Sequence, residues 1–117
     1  MSNPTLKWRA EHLLIKYSGS RNPVSRRTGQ ATTMSYDDAV KELEQWRQSI
    51  VEGKISFEDA AKQRSDCGSF ARGGDLGEFG PGEMMKPFED STKALQVGEM
   101  STMVVTDSGV HLIKRIA

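Results

Sequence analysis

Apolar and polar positions fall into short blocks along the chain. Ala10-Glu11-His12-Leu13-Leu14-Ile15-Lys16 is aliphatic, brief and bounded by Ser18-Gly19-Ser20, the pattern of a buried strand over 10–16. Strand side chains alternate between faces, so His12, Leu14 and Lys16 share one, with His12 and Lys16 about 13 Å apart at ~3.3 Å per residue. From 17 to 33 the chain is polar, carries Gly19, Pro23 and Gly29 and shows no apolar period; loops of this length inside compact domains are often functional. Ser35 then caps a helix, with Asp38 in the capping-box position, although Asp is shorter than the usual Glu. Tyr36, Val40, Leu43, Arg47 and Ile50 keep helical spacing, Ala39, Trp46 and Val51 widen the stripe, and Gly53 ends it. A second helix restarts at Ser56-Phe57-Glu58-Asp59, turns Phe57, Ala60 and Ala61 inward and stops before Asp66-Cys67-Gly68.

The second half is punctuated differently. Six glycines over 68–82 predict positive φ or tight turns, with a brief strand at Leu76-Gly77-Glu78-Phe79. Pro87 suits the first turn of a third helix, in which Phe88, Thr92 and Leu95 repeat before Val97-Gly98 closes it. The β-prone runs 103–106 and 110–116 are joined by Thr106-Asp107-Ser108-Gly109, a hairpin signature. The order strand, helix, helix, short strand, helix, hairpin predicts an α+β domain with a mostly antiparallel sheet. There is no internal repeat and no low-complexity tract.

Composition narrows the function classes. The 117 residues suit one compact domain. Apolar residues at 36% and charged residues at 27% are ordinary for a globular protein, and no apolar stretch approaches a membrane span. The first eight residues lack the apolar core of a secretory signal, which predicts a cytosolic or nuclear protein. A single cysteine, Cys67, forms no internal disulfide and agrees with a reducing compartment. Sixteen basic residues balance sixteen acidic ones, which argues against a globally electrostatic nucleic-acid binder.

Several residues could carry chemistry, and each has two readings. His12 and His111 both sit in strand-like runs; a buried imidazole needs partners for both ring nitrogens, so they are either a satisfied structural pair or the scaffold of a polar network. A metal site would want more ligands. Cys67 is either an inertly packed thiol or a nucleophile, and the second reading needs His12 or His111 brought beside it. Lys16, Arg21, Arg26 and Arg27 lie in a stretch, 16–27, without an acidic residue. Such a cluster suits phosphate capture, since arginine forks chelate phosphate oxygens and lysine adds a point charge; a solvated basic loop and a nucleic-acid patch are its rivals. The lack of aromatics beyond Tyr17 speaks against single-strand stacking. Leu76, Phe79, Met84, Met85 and Phe88 are either core or the lining of a shallow pocket for a small apolar ring such as proline.

In order and spacing, five segments resemble the parvulin family of peptidyl-prolyl cis/trans isomerases. They are His12-Leu13-Leu14-Ile15-Lys16, Phe57-Glu58 through Ser65-Asp66-Cys67, Gly73 through Phe79, Gly82 through Phe88, and Thr106 through Ile113. They span nearly the whole chain from about Ala10, so the resemblance implies a short N-terminal extension, 1–9, and a parvulin domain, 10–117. The basic loop and Cys67, where other branches carry aspartate, resemble the phospho-directed Pin-type branch. The implied fold is FKBP-like: a four-stranded, mostly antiparallel sheet surrounded by helices. By match, His12 and His111 form a network with Thr106 and Ser108 beside Cys67, and Ser108 and Cys67 border the isomerising bond. Leu76, Met84 and Phe88 form the proline pocket, and Lys16 and Arg21 hold the phosphate. Asn22 stands where close relatives carry a second basic residue, a place Arg26 or Arg27 could supply. Trp8 and Trp46 lie too far apart for the WW module that such relatives often add, so that module is expected to be missing. The resemblance implies no metal or cofactor, phosphorylated Ser/Thr-Pro segments as partners, no nucleic-acid or membrane partner, and a monomer. An adaptor with incidental turnover, or an isomerase with little phosphate preference, are the alternatives.

Overall fold

The computed structural model describes residues 7–117. Of the 1–9 segment, residues 1–6 lie outside the described residues, while Trp8 and Arg9 open the first strand, β1, Trp8–Ile15. The strand starts two residues earlier than its aliphatic run because Trp8 and Arg9 pair across the sheet with Phe79 and Glu78. Two helices follow, α1 (Tyr36–Val51) and α2 (Phe57–Arg64), then a 3-10 turn over Gly68–Arg72 and strand β2 (Asp75–Phe79). Helix α3 (Lys86–Ala94) precedes the hairpin strands β3 (Val104–Thr106) and β4 (Gly109–Arg115). The sheet order is β2-β1-β4-β3, and every pairing is antiparallel.

Local sequence explains the helix boundaries. The hydroxyls of Ser35 and Ser56 accept the backbone N–H of Asp38 and Asp59, each at 3.1 Å, satisfying donors that the first turn leaves free. Gly53, at φ +74°, supplies the left-handed residue after α1. Pro87 opens α3, where a missing N–H costs nothing.

The two sheet faces bury two clusters. On one, Leu13, Ile15, Val110 and Leu112 pack against Ala39 and Leu43 of α1 and Phe57 and Ala60 of α2. On the other, Trp8, Ala10, Val104 and Ile113 pack against Phe79, Phe88 and Leu95. Val51, expected in the α1 stripe, is exposed: it ends the helix beyond the last residues the sheet covers. Within the glycine-rich stretch, Gly73, Gly74, Gly77 and Gly82 take positive φ, whereas Gly68 sits in the 3-10 turn without one. Gly74 matters most. At φ +86° its carbonyl accepts the His12 N–H at 3.0 Å, and a Cβ there would run into the His12 carbonyl oxygen, so only glycine lets this turn approach β1.

Candidate active site

Strand alternation puts His12 and His111 on the same face of adjacent strands, where the register pairs Leu14 with His111 and His12 with Ile113. The offset is one step along the ladder, so the rings meet: Nδ1 of His12 lies 3.0 Å from Nδ1 of His111. Nε2 of His111 lies 2.7 Å from the Thr106 hydroxyl, which also accepts the Ser108 N–H at 3.1 Å. His12 Nε2, buried, has no hydrogen-bond partner among the described residues. One assignment of protons uses every group. With His12 cationic, its Nδ1–H donates to His111 Nδ1, His111 Nε2–H donates to the Thr106 hydroxyl, and the second His12 proton, on Nε2, is free for an acceptor. Burial, together with the charge of His12, holds His111 well below the usual imidazole range, so it stays neutral.

The Cys67 thiol lies close enough to the His12 imidazole for its titration to feel it. Burial raises its pKa, but hydrogen bonding and charge from His12, with further help from Ser69, more than reverse this and bring it down to about 6. The ultraviolet thiolate absorbance of Cys67 is therefore expected to titrate with a midpoint near 6. His12→Gln should move that midpoint up toward the ordinary thiol value of about 8.5. A midpoint unmoved by the substitution would assign the shift to Ser69 instead.

Phe88 closes the network from below. Its ring meets both imidazoles edge-on at 5.5 Å and Phe79 at 6.0 Å. Leu76 and Met84 pack half-buried against the cluster that contains it, so the three residues that the resemblance assigns to the proline pocket gather in one cluster, which Phe88 joins to the histidine pair.

The basic loop is hydrogen-bonded along its length. Val24 and Ala31 form a bridge, Ser18 N–H donates to the Met34 carbonyl at 2.8 Å, and Arg21 N–H donates to the Asp107 carbonyl at 2.8 Å. Its hub is Asp66, which the sequence reading left without a role. The buried carboxylate accepts the Lys16 N–H at 2.9 Å, the Ser25 hydroxyl at 2.7 Å and the Arg64 guanidinium at 3.1 Å. Its backbone joins Leu14 and Arg26. The available signal was an acidic residue between Ser65 and Cys67 at a helix end, where a buried carboxylate must find donors.

Lys16, Arg21, Asn22 and Arg26 line a groove of about 380 Å³ with Leu14, Cys67, Gly68 and Ser108. The Lys16 ammonium donates to the Val24 carbonyl at 2.6 Å; burial first, and then the Arg26 charge, lower its pKa. Arg27 does not join the groove. Its guanidinium instead stands 4.0 Å from the buried Asp66 carboxylate, at ion-pair distance. Ser108 enters the histidine network through its backbone and lines the groove, as Cys67 does.

Known proteins carry the same layout. A family model described as the PPIC-type PPIASE domain of rotamases matches residues 12–117. The chain is 50% identical over 112 residues to peptidyl-prolyl cis-trans isomerase Pin1 of Arabidopsis thaliana, covering 93% of this chain and 94% of that one. Among solved structures, that of TbPIN1 is 64% identical with a TM-score of 0.87, covering 95% of this chain and 97% of the other. The isomerase ESS1 from Candida albicans is 38% identical with a TM-score of 0.92, covering 95% and 63%. Matched along nearly its whole length in sequence and in fold, the chain belongs to the parvulin family, of the PPIC type, and is a peptidyl-prolyl cis/trans isomerase.

Proposed function

We propose that this isomerase prefers bonds in which proline follows phosphoserine or phosphothreonine, and that its partners are phosphorylated Ser/Thr-Pro segments of client proteins. The observation that carries this is the groove lined by Lys16, Arg21 and Arg26 next to Cys67 and Ser108, with no acidic residue among its lining. Three cations lining one groove suit a dianion, since a phosphate carries about −1.5 to −2 charge near neutral pH. Arg26 stands beside Asn22 in that lining and supplies the second guanidinium that Asn22 lacks. Asn22 instead accepts the Val24 N–H at 3.2 Å and shapes the loop.

The prolyl amide resists rotation by ~18 to 20 kcal/mol because twisting destroys resonance. Holding the phosphate at the cations and the ring against Leu76, Met84 and Phe88 fixes both flanks, leaving the carbonyl between them to turn. A thiolate at Cys67 beside the carbonyl oxygen disfavours the charge-separated resonance form that keeps the bond planar. Nothing covalent is required, and the histidine pair acts by keeping the His12 N–H aimed at the sulfur.

The test is isomerisation of phosphorylated and plain Ser-Pro peptides. The phosphorylated peptide is expected to give the higher kcat/KM, and Arg21→Ala to reduce the ratio at least tenfold, since a hydrogen bond to a charged group is worth about 1.5 to 3 kcal/mol. An unchanged ratio would leave the cations without this role.

A further inference from the structure

A second groove, of about 720 Å³, lies on the other side of the β3–β4 turn from the site. Its walls are Tyr17, Gly19, Arg21, Met85, Pro87 and Val105, with Lys86 and Asp107 at the rim. Arg21 lines both grooves, and the turn residues divide between them, Thr106 and Asp107 facing this one and Ser108 the other. The two grooves thus share Arg21 and flank the hairpin turn.

The wall is built rather than incidental. The Tyr17 ring comes close to Gly19: a Cβ there would stand 2.7 Å from Tyr17 Cε2, so any larger residue pushes the ring away. Tyr36 meets the same ring edge to face, with centroids 5.3 Å apart. Val105 and Met85 are 42% and 37% exposed, and large apolar residues left in water beside a reaction site have an unmet gain on burial. Position also fixes which part of a client arrives here. Met85, Lys86 and Pro87 connect Met84 to Phe88, two of the residues set against the proline ring, whereas of the phosphate-side cations only Arg21 reaches this groove.

We propose that this groove is a specificity subsite for the client residues that follow proline, and that it takes a large aliphatic or aromatic side chain there. The inference rests on the reading of the first groove as the phosphate arm. A bound segment would lay its apolar side chain between the Tyr17 ring and Val105, with Pro87 as the floor. Lys86 and Asp107 remain at the solvated rim and read backbone polarity or nothing.

The test compares pSer-Pro-Leu-Leu with pSer-Pro-Gly-Gly peptides, and the same pairs without phosphate. The Leu peptide is expected to have about tenfold higher kcat/KM, the scale of partly burying one such side chain. Gly19→Ala, which displaces the ring, and Val105→Asp, which charges the opposite wall, should each bring that Leu-to-Gly ratio to within about twofold of one. The subsite is overturned by a wild-type ratio near one, by a ratio that survives both substitutions, or by a preference that tracks residues before the phosphoserine. It is also overturned if the phospho-to-plain ratio collapses in parallel, since that would mean damage to the Arg21 arm. A phospho-to-plain ratio near one beside an intact Leu-to-Gly ratio would sink the phosphate reading alone and leave the subsite standing.

Discussion

Phe88→Ala is expected to remove about 4 kcal/mol of stability and most of the isomerase activity, on phosphorylated and plain peptides alike. The side chain is almost fully buried, and its ring touches both imidazoles and Phe79, so truncation leaves a cavity under the histidine pair as well as losing apolar burial. Rings that meet edge to face hold each other's orientation, and without Phe88 both His12 and His111 lose their lower wall. In a domain of this size the loss corresponds to a fall in Tm of about 15 °C. Thermal unfolding by circular dichroism reads the first effect; kcat/KM, measured well below the variant's Tm, reads the second. Phe88→Leu, which keeps most of the volume, should cost less than about 1.5 kcal/mol and restore the fold. A defect confined to phosphopeptides would contradict the assignment of Phe88 to the proline side of the site.

The second large effect concerns pH. Glu11 is buried on β1 with one carboxyl oxygen unpartnered, facing Glu58 of α2, Lys114 of β4 and Asp75 of β2. Burial first, then the hydrogen bond and charge of Glu58, and the more distant Asp75, push its pKa up to about 8, against the opposing pull of Lys114. Glu58 is held down by that same shared proton and by the Lys114 ammonium, 3.2 Å away. At neutral pH, therefore, Glu11 carries the proton and Glu58 the charge.

The folded-state pKa of Glu11 lies above its unfolded value. Its contribution to stability is thus fully present below the ordinary glutamate range of about 4.5 and is lost as pH rises through about 8. Glu58 works in the opposite direction at the acid end, and its partial exposure weakens the coupling. The net loss between pH 5 and pH 9 is therefore about 2 kcal/mol, well under the figure that Glu11 alone would give at 1.36 kcal/mol per unit. Glu11→Gln, which keeps a donor toward Glu58 without a charge to expose, should flatten the profile and be the more stable protein at pH 9. Urea unfolding at pH 5, 7 and 9 decides it, and parallel profiles for the two proteins would dismiss the shared proton.

Much of this arrangement was readable before any coordinates, and what was not has a common physical cause. Both serine caps, the glycine after α1 and the proline at the start of α3 are local signals, and each sits where the pattern put it. The hairpin likewise follows from its turn residues. Strand alternation put His12 and Lys16 on one face, yet only the long-range register of β1 against β4 brings His111 onto His12, and no local pattern encodes that. Asp66 escaped notice for the same reason: its partners come from β1, the basic loop and α2, and are neighbours only once the chain has folded. The basic stretch gave four equivalent cations on paper, and the fold separates them, three to the groove and Arg27 to a buried carboxylate. Trp8 and Arg9 looked like flanking residues because the charge interrupts the aliphatic run, but pairing with the edge strand β2 lets Arg9 bond Asp75 while Trp8 turns inward.

The strand order has a consequence for how the molecule opens. His12 and His111 stand on β1 and β4, the two interior strands, each laddered on both sides, whereas β2, β3, α3 and the basic loop lie at the margins. Amides of interior strands exchange with solvent only through openings close in free energy to global unfolding, while marginal elements exchange through smaller, local ones. The enzyme thus divides its labour along a gradient of rigidity. The parts that grip a client can yield to admit and release it, and the histidine ladder stays assembled through every such excursion, ready for the next turn of the bond.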